Sequence, residues 1–170
     1  MKVFVYAGWI DNSPKIGTID YDFINGNEVY SFEYEQSWLE KNNIYFDPNI
    51  EDYLGRQYIN GDNKFFGFLS DSCPDRWGRM LIERNENLLA KKENRKPRKL
   101  YELDYLLNVN DELRNGGFRF KKEDEDEFVS IDRENAIPPY TTLRQLQDAS
   151  LSLESDSNLL NEKWLKEILM

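Results

Sequence analysis

Histidine is absent from the 170 residues of this chain. Nucleophilic sites of the Ser-His-Asp and Cys-His types need an imidazole as their base, and many zinc and iron sites need it as a ligand. The chain therefore cannot supply any of these sites. It also lacks a glycine-rich phosphate loop of either common spacing, since Gly116 and Gly117 alone do not make one.

Cysteine and long apolar runs are scarce as well. Cys73 is the one cysteine, which excludes a disulfide within the chain. The first residues, MKVFVYAGW, have no apolar core of a signal peptide, and no run approaches the roughly 18 apolar residues of a membrane span. We therefore expect a cytoplasmic protein without a membrane partner.

Positive charge is outnumbered, with 22 Lys and Arg against 32 Asp and Glu and a net charge of -10. Nucleic-acid affinity rests largely on basic side chains that neutralise phosphates. Direct nucleic-acid binding is therefore not expected, and a basic protein is the more natural partner. The acidic run at 123–127 lacks the alternating spacing and the glycine of a calcium loop, so it predicts a solvated tip without a metal.

The most informative segment is 65–84, FFGFLSDSCPDRWGRMLIER. Its aromatic start resembles a strand, and Ser72 with Asp75 has the spacing of a capping box, so the sequence predicts a helix over 72–89. Trp77 and Leu81 lie on the predicted apolar face. Cys73, at the start of this helix, is expected to be a packed small residue.

Short strands are predicted at 2–6, 17–21 and 28–34, with a hairpin turn at 25–27. Beyond the basic connection at 91–99, a short helix, a strand at 117–120 with a returning strand at 128–131, and two amphipathic helices are expected. The predicted fold is α+β: an antiparallel β-meander or small barrel-like sheet with packed helices over residues 1–95, followed by a smaller helix-hairpin-helix unit over 96–170.

Four segments give the chain a resemblance to a known family: 17–34 followed by Trp38 and Leu39, the segment 65–84, the segment 101–120 (YELDYLLNVNDELRNGGFRF) and 137–149 (IPPYTTLRQLQDA). Together they resemble the N-terminal portion of the HipA family of toxin-antitoxin kinases. That resemblance implies a β-rich subdomain joined to a body that phosphorylates protein serine or threonine, with a HipB-like DNA-binding antitoxin as partner.

The kinase parts of that family do not occur in this sequence. Phosphoryl transfer depends on a phosphate loop, a catalytic Asp and Mg²⁺ ligands, so ATP and Mg²⁺ are expected in a kinase partner or a further C-terminal part. The resemblance thus implies a non-catalytic N-terminal module that binds the kinase core and the antitoxin. A stand-alone, antitoxin-like subunit of a split system is the alternative, and a small enzyme that uses Asp71 and Asp75 is a third possibility.

Partner binding is expected on the surface around the helix at 72–84 and on the apolar face of the last helix, 161–170. Trp77 between two arginines suits an interface anchor, whereas its place on the apolar stripe suits the core, and both readings stay open. The predicted partner-binding residues are Asp75, Arg76, Trp77, Arg79, Trp164, Leu165 and Ile168.

Overall fold

A five-stranded antiparallel sheet forms the centre of the fold. The computed structural model describes residues 1–42, 44–59, 65–125 and 127–129. The order of the strands is β4-β3-β2-β1-β5. The strands are β1 (Lys2–Ala7), β2 (Lys15–Ile24), β3 (Asn27–Tyr34), β4 (Gln57–Tyr58) and β5 (Phe118–Lys122). The predicted α+β class with an antiparallel sheet is confirmed.

The hairpin between β2 and β3 follows from its turn residues. Asn25 and Gly26 both have positive φ, 51° and 83°, which suits the tight turns that join two twisted strands. The pairing then runs from Ile24 opposite Asn27 to Gly17 opposite Tyr34. The predicted turn at 25–27 is confirmed.

The edge strand β5 pairs with β1, from Val3 opposite Lys122 to Ala7 opposite Phe118. The strand that we expected to return beside β5 is not seen in its two described residues, Phe128 and Val129, which lie outside any strand. A single hydrogen bond joins the Val129 N–H to the Phe120 carbonyl at 2.9 Å. Residues 130 and 131 lie outside the described part of the chain.

Four α-helices and a short 3-10 helix surround the sheet in the described part of the chain. They are α1 (Gln36–Lys41), α2 (Gly67–Asp71), α3 (Arg76–Lys92), α4 (Glu102–Leu107) and the 3-10 turn Asp111–Leu113. None of the described helices combines the length and the apolar character that crossing a membrane requires.

The strand-like interpretation of the aromatic segment at 65–69 is wrong, because α2 begins there. The Asp47 carboxylate accepts a hydrogen bond from the Phe68 N–H at 3.0 Å, and so pairs one of the amides left free in a first helical turn. Phe66, Phe68 and Leu69 are buried in the core. A distant carboxylate thus fixes a helix that the local sequence does not reveal.

The predicted capping box between Ser72 and Asp75 is also wrong, because the two residues belong to different helices. Ser72 ends α2, and its hydroxyl donates to the Phe68 carbonyl at 2.8 Å. Asp75 is the N-cap of α3 and accepts from the Gly78 N–H at 2.8 Å. Helix α3 therefore starts after Pro74 and runs to Lys92, past the predicted end.

The main core lies between the sheet and the helices, and it crosses the boundary predicted near residue 95. Leu103, Leu106 and Phe120 belong to the same buried cluster as Val3, Phe32 and Trp38. A smaller cluster joins α3 to α4 through Leu81, Ile82 and Tyr105. The division into 1–95 and 96–170 stays a prediction, since 130–170, where the two C-terminal helices are predicted, lies outside the described residues.

Candidate partner-binding surface

The first turn of α3 carries the four described residues that the sequence predicts to bind a partner. Asp75 is exposed, but one of its carboxylate oxygens is engaged as the N-cap. Arg76 is exposed and makes no ion pair within the described part of the chain. Asp71 ends α2 and is also exposed. The structure thus gives Asp75 a structural role and leaves Arg76 accessible to a partner.

Arg79 connects α3 to α4. Its two terminal nitrogens donate to the two carboxylate oxygens of Glu102 at 3.0 and 2.7 Å, a bidentate pair, and its guanidinium lies 4.6 Å from the centre of the Tyr105 ring. The hydrogen bonds that Arg79 donates to Glu102 raise the pKa of Arg79. The side chains of this ion pair are each about one third exposed. A partner would therefore contact Arg79 as a member of an ion pair rather than as a free cation.

Trp77 is half-buried and packs against the Leu81, Ile82 and Tyr105 cluster, together with Leu100. The hydroxyl of Tyr105 donates to Glu83 at 2.8 Å, and burial raises its pKa to about 12. One face of the indole is thus fixed by the fold while its remainder stays accessible. Such partial burial leaves both readings of Trp77 open.

A cleft of about 760 Å³ is lined by Leu100 and Glu102, at the start of α4. Glu102 lines the cleft and pairs with Arg79, while Leu100 lines the cleft and packs, as Trp77 does, against the Leu81, Ile82 and Tyr105 cluster, so we treat the two features as one surface. We call it the α3–α4 surface. Its members are Arg76, Trp77, Arg79, Leu100, Glu102 and the cleft.

The opposite wall of the cleft is the end of the β2–β3 hairpin, from Gly26 to Tyr30. Near this end, Phe23 is half-exposed and contacts the Tyr101 ring, with 5.4 Å between the ring centres. The Tyr30 hydroxyl donates to Glu28, and burial, with that hydrogen bond second, raises the pKa of Tyr30. Lys99 lies 5.1 Å from the centre of the Tyr101 ring. The cleft thus presents tyrosine rings, which are enriched in protein interfaces, together with the charges of Lys99 and Glu102.

Cys73 lies behind this surface. Its sulfur is 4.0 Å from the Glu102 carbonyl oxygen, and burial raises its pKa to about 12. A protonated, shielded thiol is not a nucleophile. The prediction of a packed small residue agrees with this environment.

Sequence reasoning missed the hairpin side of the cleft. Phe23 and Ile24 directly precede the Asn25-Gly26 turn, where exposed apolar residues are unusual, and this could have indicated a surface. Lys99 and Tyr101 gave no comparable indication, because only the tertiary fold brings them to the hairpin. The remaining predicted residues, Trp164, Leu165 and Ile168, lie outside the described part of the chain.

Within the described ranges, no group of three or more Cys, Asp or Glu side chains is arranged to hold a metal ion. Comparisons with protein-family models, with curated proteins and with solved structures find no match to this chain.

Proposed function

We propose that this chain is a non-catalytic interaction module of a HipA-like toxin-antitoxin kinase, and that the α3–α4 surface binds the kinase core. The observation that supports it best is the composition of this surface, where exposed Arg76 adjoins half-buried Trp77 and the partner of Arg79, Glu102, lines a cleft. The proposal also rests on the resemblance of the four segments to that family. We further propose that the protein is cytoplasmic, that the sheet is barrel-like, and that residues 96–170 form the helix-hairpin-helix unit.

Tryptophan and arginine concentrate binding energy in interfaces because each buries a large area and also offers polar contacts. At the α3–α4 surface, packing within the fold already restricts the Trp77 side chain. Binding of a partner would therefore cost little additional side-chain entropy. Trp164, Leu165 and Ile168 are proposed to extend this interface.

ATP and Mg²⁺ are assigned to the kinase body, and the HipB-like antitoxin binds the assembled toxin. Two arrangements use the same surface: a kinase body that continues in the same chain, or an antitoxin-like subunit that restrains a separate kinase chain. The DNA downstream of codon 170 distinguishes them, because an uninterrupted kinase reading frame indicates the first arrangement and a stop codon before a second frame indicates the other.

The test is titration calorimetry with a purified HipA-like kinase core from the same genome. Arg76→Ala removes an exposed side chain, so we expect the unfolding free energy to change by less than about 0.5 kcal/mol and binding to weaken about tenfold. Trp77→Ala should weaken binding more strongly and also lower stability, because the indole is half-buried.

Leu89→Ala is the matched control, since Leu89 is an exposed apolar residue farther along the same helix. It should bind the kinase core like the wild type. Folded Arg76→Ala and Trp77→Ala variants with wild-type affinity would remove the α3–α4 surface from the interface.

A further inference from the structure

The loop between α1 and β4 places several large apolar side chains in solvent. We call residues 44–58, that is this loop together with β4, the tyrosine loop. Isolated exposed apolar residues are common, but a group within one loop is typical of an interaction site. The exposed fractions are 38% for Ile44, 68% for Tyr45, 46% for Tyr53, 54% for Leu54 and 53% for Tyr58.

Buried polar groups hold the backbone of this loop from beneath. The Asp47 carboxylate, which accepts a hydrogen bond from the Phe68 N–H, also accepts one from the Asn49 N–H at 2.8 Å. The buried Gln57 side chain accepts from the Glu51 N–H at 2.7 Å and donates to the Glu51 carbonyl at 2.8 Å. The backbone of the loop is therefore held by the side chains of Asp47 and Gln57, and such preorganisation lowers the entropy cost of binding.

The exposed charge of the loop is acidic. Glu51 and Asp52 are exposed, and neither makes an ion pair with a described residue. Arg56, the loop's cation, is paired with Asp20 at 3.1 Å. Two unpaired carboxylates thus lie next in sequence to Tyr53 and Leu54, on a chain whose net charge is -10.

We propose that the tyrosine loop binds a basic protein segment, one that presents lysine or arginine between apolar residues. Carboxylates attract such cations, the faces of tyrosine rings add cation–π contacts, and the apolar residues cover Leu54 and Tyr53. The acidic charge disfavours nucleic acid and anionic membranes as occupants. This inference is independent of the kinase relationship and concerns a second surface.

The test is fluorescence anisotropy with a short labelled peptide in which lysine and arginine alternate with leucine and glycine. The cationic peptide should bind the full chain, and the same peptide with glutamate at each basic position should not. The double variant Tyr53→Ser with Leu54→Ser, and the double variant Glu51→Gln with Asp52→Asn, should each weaken binding about tenfold. Tyr58 is left unchanged because it also lines the cleft.

The matched control is Glu123→Gln with Asp124→Asn, which removes the same charge from an exposed site beyond β5. It should leave peptide affinity within about twofold of the wild type. An equal loss in this control would show non-specific attraction and overturn the proposal, as would no binding by the wild type. Sedimentation that shows a dimer abolished by Tyr53→Ser with Leu54→Ser would assign the loop to a second copy of the chain and also overturn it.

Discussion

Arg114 is a buried guanidinium that holds three carbonyl groups. One of its terminal nitrogens donates to the carbonyls of Ser72 and Leu106, each at 2.9 Å, and the other donates to Val109 at 3.0 Å. Burial lowers the pKa of Arg114 to about 10, which leaves it charged at neutral pH. The ends of α2 and α4 thus share one donor.

Replacing this donor should be costly. Arg114→Met removes the hydrogen-bond donor of three carbonyl groups in a buried site. We therefore expect the unfolding free energy to fall by about 3 kcal/mol or more. Arg76→Ala, at an exposed site, should change it by less than about 0.5 kcal/mol. Urea denaturation measures both, and an Arg114→Met loss as small as that of Arg76→Ala would contradict the structural role.

The environment of Cys73 predicts its reactivity. With the pKa raised to about 12 by burial, the thiolate is scarce at pH 8. We expect a disulfide reagent such as dithionitrobenzoate to react with the native chain at least about a hundredfold more slowly than with free cysteine. The same chain in concentrated urea should react at the free rate, and rapid labelling of the folded protein would show that the thiol is accessible.

At the scale of elements, one carboxylate closes the basic connection onto helix α3. Glu86 is buried, accepts hydrogen bonds from the Arg95 guanidinium, and also accepts from the Arg98 N–H at 2.8 Å. The Arg95 hydrogen bonds, followed by that of the Arg98 backbone, lower the pKa of Glu86 to about 2. The basic residues at 95 and 98 thus bind a helix instead of only facing solvent.

The pH dependence follows from this lowered pKa. A carboxyl whose pKa is lower in the folded state stabilises the fold above its unfolded pKa, about 4.3, and the stabilisation is lost as the pH falls towards 2. Glu86→Gln should therefore melt at a lower temperature than the wild type at pH 7, and the difference should shrink between about pH 4 and pH 2. Equal melting temperatures at pH 7 would show that Glu86 contributes nothing. As a further readout, trypsin should cut 91–99 faster in the variant.

Elements fixed by neighbouring residues were predictable from the sequence. The Asn25-Gly26 turn, β3 and the helix α4 after Tyr101 depend on local turn chemistry or periodicity, and all three are confirmed. Helix α2 was not predictable, because the carboxylate that accepts from its Phe68 N–H, Asp47, lies 21 residues earlier in the chain. The start of α3 was misplaced because Ser72 and Asp75 are both good caps and the alternative use of Ser72 depends on α2.

The candidate site shows the same division. Asp75 to Arg79 stood out in the sequence as an aromatic residue among charges, and these residues do lie at the start of a helix, where Arg79 pairs with a residue that lines the cleft. The role of Arg79 depends on Glu102, and the hairpin wall depends on the sheet. Neither can be read from the local sequence.

At the scale of the whole molecule, the proposed division of labour predicts nucleotide behaviour. The chain alone should show no ATP binding in calorimetry with Mg²⁺, because the parts that hold phosphates are assigned to the kinase body. A HipA-like kinase core measured in the same way is the positive control. Micromolar ATP affinity of the isolated chain would contradict a non-catalytic module.

The position of β5 beside β1 also sets the order in which the sheet can assemble. β1, β2 and β3 follow one another along the chain, whereas β5, whose Lys122 pairs with Val3 of β1, lies far along the sequence from β1. Closing so long a loop costs more entropy than closing a hairpin, so distant pairings form late in folding. In pulsed hydrogen exchange during refolding, amides of β2 and β3 should become protected before those of β5, and simultaneous protection would contradict this order.

During synthesis on the ribosome, the β1 edge therefore stays open until β5 emerges, and an unpaired strand edge is a point at which nascent chains can associate.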